Sequence, residues 1–274
     1  NVSIEAENIM PIIKRWLYSD KDIFLREVVS NGCDAITKFR MMNPGTEEDL
    51  RVTVTVDKEK GEIRITDTGI GMTDDEVRKY INQVAFSGAQ EFLKNHQSDK
   101  ENEPSDIIGH FGLGFYSVFM VSDKVVIDSL SCTEGAAAVR WESDDGMSFE
   151  LTEGDHAAHG TTITLHISED EKEFLELYRV REVLQRYCGY MNSPVYLEDA
   201  NAKPVEKPAP EPKEGEEKAA PVIELPKPQL INDVAPLWLK KPSDCKDEDY
   251  KSFYHKMFTD YDDPLFWIHL NVDY

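Results

Sequence analysis

The sequence is poor in the groups that staple or metallate a fold. Its four cysteines, Cys33, Cys132, Cys188 and Cys245, stand far apart with no C-x-x-C pair. No zinc site or disulfide framework is expected, and reduced thiols are the default. The seven histidines show no H-E-x-x-H and no finger spacing, so they read as ordinary surface or core residues. No G-x-x-x-x-G-K-[ST] and no G-x-G-x-x-G occurs, which removes the P-loop and Rossmann phosphate sites. No apolar run is long enough to cross a bilayer, and no signal-peptide pattern opens the chain. Basic residues are also short: 30 Lys and Arg face 53 Asp and Glu, for a net charge of −23. That balance predicts neither a nucleic-acid nor a membrane partner, because phosphate contacts need basic surface. A soluble, cytoplasmic protein is expected. The chain starts on Asn1 rather than Met, so a few native residues are expected to be missing, or a tag to have been removed.

The 274 residues are 40% hydrophobic, enough for one large core or two smaller ones. The organising stretch runs from Phe24 to Ala35 and has helical spacing. At about 100° per residue, Glu27, Asn31 and Asp34 fall within roughly 60° of arc. Phe24, Val28 and Ala35 lie just beside them. Oxygen-bearing side chains therefore run along the edge of the face that should be buried, which costs desolvation unless something pairs with them. A metal ion carrying a polyphosphate would do so. A capping or interhelix hydrogen-bond network would do so equally well.

Ahead of that helix, Ile9 to Leu17 has helical spacing, with Ser3 a possible N-cap and Pro11 a kink or the true start. Behind it, Asn43-Pro44-Gly45 is a stop signal. Leu50–Val56 and Glu62–Thr66 form a hairpin about a turn at 57–61. The second strand runs into Asp67-Thr68-Gly69-Ile70-Gly71-Met72. An acid at a strand end, followed by alternate glycines, lets backbone approach a flat ligand while the carboxylate points at it. The commoner outcome of such a turn is an Asp that bonds its own backbone. Thr73 and Glu76 form a capping box for a helix expected to reach Ala85.

A polar stretch, 94–106, precedes Gly109-His110-Phe111-Gly112-Leu113-Gly114. It reads either as a ligand-gated lid or as a passive surface loop. The glycines precede an expected helix from Phe115 to Val121, and exposed N–H groups there would cradle a phosphate; a plain glycine turn is the alternative. Lys124–Leu130, Ala136–Glu142, Met147–Thr152 and Thr161–Ile167 read as antiparallel strands, Glu169–Tyr187 as one amphipathic helix, and Pro194–Leu197 as a last strand. Residues 200–236 carry eight of the fourteen prolines among many Lys and Glu and cannot bury a core. The expected organisation is an N-terminal domain over 1–199, a disordered linker over 200–235, and the truncated start of a second domain over 236–274. The expected fold class is an α/β (α+β) two-layer sandwich, a mostly antiparallel twisted sheet with helices on one face.

Taken in order, the acid–amide helix, D-x-G-x-G after a strand and G-x-x-G-x-G before a helix resemble the GHKL (Bergerat-fold) ATPases. The segments Tyr18–Glu27, Asp67–Thr73 and Gly112–Ser117 narrow this to the heat-shock protein 90 family of molecular chaperones, bacterial high-temperature protein G type. The resemblance spans the chain to Leu197 and resumes at Pro236-Leu237-Trp238, similar to the start of that family's middle domain. It implies ATP/ADP and Mg²⁺ as cofactors. Glu27 would be the general base and Asn31 the metal ligand. Asp67 would bind the adenine amino group with Thr161 supporting it through water. Ala35, Gly71 and Met72 would line the base pocket. Gly109, Gly112, Leu113, Gly114 and Phe115 would offer N–H groups to the phosphates, and 86–109 would be the lid. Phe86 stands where many members carry lysine, Tyr80 where asparagine or histidine is common with Asn82 as a possible substitute, and His110 in place of glutamine. The resemblance further implies slow hydrolysis, client proteins as partners, a homodimer in the full-length protein and a monomer for this chain. A different GHKL member, such as a kinase or a DNA-linked clamp, is one competing reading. A non-enzymatic nucleotide sensor is the other.

Overall fold

The computed structural model describes residues 20–81, 114–207, 222–224, 226–258 and 260–270. The expected helix over 9–17, the stretch from Asn82 to Leu113 with its expected lid, and residues 208–221 and 225 of the predicted linker lie outside the described residues.

One sheet of eight strands frames the site: β1 (Val52–Asp57), β2 (Glu62–Asp67), β3 (Ser122–Leu130), β4 (Val139–Ser143), β5 (Glu150–Glu153), β6 (Gly160–Ile167), β7 (Val195–Asp199) and β10 (Gln229–Leu230). Their spatial order is β10-β7-β1-β2-β6-β3-β4-β5. β1 and β7 are parallel and the other described pairings are antiparallel. The short strands β8 (Val205–Lys207) and β9 (Val222–Glu224) pair only with each other. The sheet is two-faced, as strand alternation dictates. Val52, Val54, Ile63, Ile65, Leu165, Val125, Ile127 and Trp141 line the buried face. Thr53, Arg64, Thr66, Thr162, Thr164 and His166 fall on the opposite face and are only partly buried.

The helix α1 (Ile23–Met42) lies on the buried face, with Gly32 close to Val52 and Asp67. Phe24, Leu25, Val28, Val29, Ile36 and Phe39 on it are buried, while Ala35 is half-buried. Its N-terminal end is pinned by side chains beyond the sheet: Lys21 pairs with Glu171, Arg179 with Asp22, and the Tyr187 hydroxyl donates to Asp20 over 2.7 Å. The helix α2 (Asp74–Tyr80) starts on the expected capping box, with Thr73 and Glu76 bonding each other's backbone.

Three elements differ from their sequence reading. The single helix expected over Glu169–Tyr187 is a 3-10 segment, Glu169–Leu175, followed by α3 (Leu177–Cys188), with Glu176 extended between them. The break buries Phe174, edge-on to Phe24 at 5.1 Å, and the paired Glu171. The expected helix after the glycines is a 3-10 helix, Gly114–Met120, tightened by the Ser117 hydroxyl donating to the Gly114 carbonyl at 2.5 Å. The end of the predicted linker is anchored: Gln229 and Leu230 pair with β7 and Asn232 is buried. The Asn232 amide donates to the Met191 and Ser193 carbonyls and accepts from the Val195 N–H, which ties this segment to the sheet edge.

The chain divides into two compact units, Asn1–Asn232 and Asp233–Tyr274. The second holds α4 (Asp247–Met257) and stacked aromatics such as Tyr250 on Trp267 at 5.0 Å. Among the described residues no helix is long and apolar enough to cross a membrane.

Candidate functional site

One cross-strand row builds the floor of the site. Register places Val195, Val52, Asp67, Thr161, Ser129 and Val139 side by side on β7, β1, β2, β6, β3 and β4. Its hydrophobic members pack into the core, and its centre carries a carboxylate and two hydroxyls. Asp67 is the C-terminal residue of β2 and only 8% exposed. Desolvation pushes its carboxyl up to about 7, against the pull of backbone hydrogen bonds from Gly69 and Thr161. The Gly69 N–H to Asp67 Oδ1 distance is 2.8 Å, so the self-bonding turn also read from the sequence is present. A buried carboxylate poised near neutrality, with an oxygen for a donor, is the kind of group that binding sites tune.

The glycines after Asp67 are there for close approach. Gly71 has φ of +62°, and a Cβ on it would stand 1.8 Å from the Leu130 carbonyl oxygen. A Cβ on Gly69 would meet the Ala35 Cβ at 2.5 Å. The loop is clamped to both neighbours: Ile70 N–H donates to the Ala35 carbonyl at 3.2 Å, Cys132 N–H to the Ile70 carbonyl at 2.7 Å, and Met72 N–H to Ser129 Oγ at 2.9 Å. Ala35, Asp67, Gly71, Met72 and Thr161 are thus brought together around this loop.

The α1 side of the site is more open. Asp34 is buried, Glu27 half-buried and Asn31 exposed, so the oxygen stripe runs along the boundary between core and solvent. The Glu27 carboxylate pairs with Arg26 and lies against Gly114, where a Cβ would come within 2.1 Å of Glu27 Oε2. This contact joins the central helix to the second glycine motif. The Phe115 side chain belongs to the core, edge-on to Trp141 at 6.0 Å, which leaves its backbone as its contribution to any site. Gly109, Gly112, Leu113, Asn82, Phe86 and His110 lie outside the described residues. Tyr80 closes α2 and is partly buried.

Three residues here escaped the sequence reading. Ser129, fully buried, bonds the Thr161 hydroxyl at 2.8 Å. His159 links the Gly69 carbonyl and the Glu48 carboxylate, each at 2.7 Å, and stacks on Phe39 at 4.3 Å. Lys38, one turn beyond Asp34, has its amine pushed below the ordinary lysine value by burial, opposed by the charges of Asp34 and Glu76. Lys38 was findable from its i+4 spacing to Asp34; Ser129 and His159 carry no local signal, because strand pairing alone brings them to the site.

Comparisons with known proteins bear on this arrangement. A family model described as "Histidine kinase-, DNA gyrase B-, and HSP90-like ATPase" matches residues 19–148, and one described as "Hsp90 protein" matches 211–274. The chain is 44% identical over 278 residues to "Chaperone protein HtpG" of Porphyromonas gingivalis strain W83, covering 100% of this chain and 38% of the relative. It is 47% identical over 279 residues to the protein of that name from Bacteroides fragilis strain 638R, with the same coverage. The Shewanella pealeana protein is 38% identical over 276 residues, covering 98% of this chain and 42% of the relative. The chain therefore spans about two fifths of the length of the curated relatives it matches.

Proposed function

The chain belongs to the heat-shock protein 90 family, with its HSP90-like ATPase fold, and from that premise we propose that it binds ATP with Mg²⁺ and hydrolyses it slowly as the N-terminal domain of a chaperone. The observation that carries the reading is Asp67: a desolvated carboxylate at a strand end, on the buried face beside α1, next to glycines that admit no side chain. An exocyclic amine of a purine supplies a further donor to this carboxylate, beside the Gly69 and Thr161 N–H groups it already accepts from. Thr161 supports that contact through water, and Ala35, Gly71 and Met72 line the base.

The donor set on α1 suits the other end of a nucleotide. Glu27, held by Arg26 against Gly114, is the acceptor that would take a proton from the attacking water. Asn31, one turn on and exposed, offers an amide oxygen to a hard cation. Among the described residues no group of three or more His, Cys, Asp or Glu could hold a metal, so Mg²⁺ would rest on Asn31 and the phosphates themselves. When bound, Mg²⁺ supplies charge neutralisation at the phosphates. Gly109, Gly112, Leu113, Gly114 and Phe115 give N–H groups to the phosphates, Asn82 contributes from beyond α2, and 86–109 closes as a lid. In the complete protein, lid closure would drive folding of client proteins in the cytoplasm, within a homodimer. The proposed organisation is the ATP-binding domain over 1–199, a linker over 200–235 whose residues 229–232 are anchored on β7 and its edge, and the start of a middle domain over 236–274. This chain by itself is proposed to be a monomer that binds nucleotide better than it turns it over.

Calorimetric titration with ADP, with and without Mg²⁺, tests the reading. Saturable 1:1 binding that tightens with Mg²⁺ is expected. No heat above dilution in either condition would overturn it.

A further inference from the structure

Ser129 lies on β3, away from every motif, yet its hydroxyl sits at a junction of three partners. Its oxygen is 2.9 Å from the Met72 nitrogen, 3.1 Å from the Gly160 carbonyl oxygen and 2.8 Å from Thr161 Oγ1. A hydroxyl has one proton and two lone pairs. The Met72 N–H can only donate and the Gly160 carbonyl can only accept. Ser129 therefore gives its proton to Gly160, takes one from Met72, and has a single lone pair left for Thr161. Thr161 must be the donor in that last bond, and its own lone pairs are then what it can turn toward a ligand.

We propose that Ser129 is a positioning residue that holds the Thr161 hydroxyl with its proton turned inward, so that Thr161 and the ionised Asp67 carboxylate together present acceptors only and select a base edge that donates. This rests on the nucleotide reading above and deepens it. A base with an amino group at that edge is matched, directly at Asp67 or through one water that gives both its protons to Asp67 and Thr161 and so turns only lone pairs to the base. A base with a carbonyl there, as in inosine diphosphate, meets oxygen against oxygen. Leaving polar groups unpaired in a buried site is what makes such discrimination steep. Without Ser129, the Thr161 hydroxyl is free to rotate and donate to a carbonyl.

The test is the ratio of ADP to inosine diphosphate affinity, measured by calorimetry on the 274-residue chain. Ser129→Ala is expected to lower that ratio about tenfold, mostly by tightening or sparing inosine diphosphate, while Ser129→Thr keeps it within about twofold. Equal weakening of both nucleotides in Ser129→Ala, as general loosening of the sheet would produce, overturns the proposal. If Ser129→Ala does not fold, Thr161→Val serves instead: it removes the held hydroxyl and must also lower the ratio, and an unchanged ratio overturns the proposal. Failure of the parent reading looks different, because wild type would then bind neither nucleotide.

Discussion

The two ends of the site are built by opposite means. The Asp67 end is a row of sheet residues, buried and hydrogen-bonded before any ligand arrives. The Glu27 end is one helix face at the boundary of core and solvent, its carboxylate held by an adjacent arginine and lying against Gly114. The first arrangement suits recognition, since groups already held in place lose little entropy when they take a partner. The second suits chemistry, since an acceptor on a half-exposed helix face can change partners as a reaction proceeds.

If that division holds, substitutions at the two ends should separate binding from turnover. The largest expected effect is in a longer form of the protein able to turn over, where Glu27→Ala should cut hydrolysis by about a hundredfold or more. The same substitution should leave ADP affinity within about twofold; unchanged turnover would remove Glu27 as base. Next, Asp67→Asn should weaken ADP by about a hundredfold and erase the ADP-dependent rise in melting temperature. A wild-type thermal shift in that variant would dissolve the comparison, because the buried end would then not be the recognising one.

The smallest effect is on the stability of the protein without nucleotide. The Asp67 carboxyl is raised by burial from 3.8 to about 7, so the folded state holds a proton that the unfolded state has released. Its contribution is complete below about pH 4 and is lost as pH rises through about 7. Denaturant midpoints should therefore fall with rising pH over that window more steeply in wild type than in Asp67→Asn. Parallel pH profiles would show that Asp67 is not desolvated as its surroundings imply.

Much of this was legible beforehand because it is local. The capping box of Thr73 and Glu76, the hairpin of β1 and β2, the oxygen stripe of α1 and the placement of Asp67 at a strand end follow from spacing within single elements. The helix expected through Glu176 failed for the same reason: periodicity over 169–187 could not register that Phe174 must meet Phe24 and Glu171 must meet Lys21. The anchoring of Asn232 was equally invisible, since proline and charge content describe a segment's solubility and not the partner waiting for its amide.

The chain's order of residues determined by itself which side chains face inward on each helix and strand, because those periods are set by backbone geometry. It also determined where glycine was obligatory, as at Gly71 with its positive φ. Tertiary structure alone decided that β6 lies between β2 and β3, and hence that Thr161 stands between Asp67 and Ser129. No local rule specifies that neighbourhood: it comes from the one packing of eight strands that buries the apolar face beneath α1.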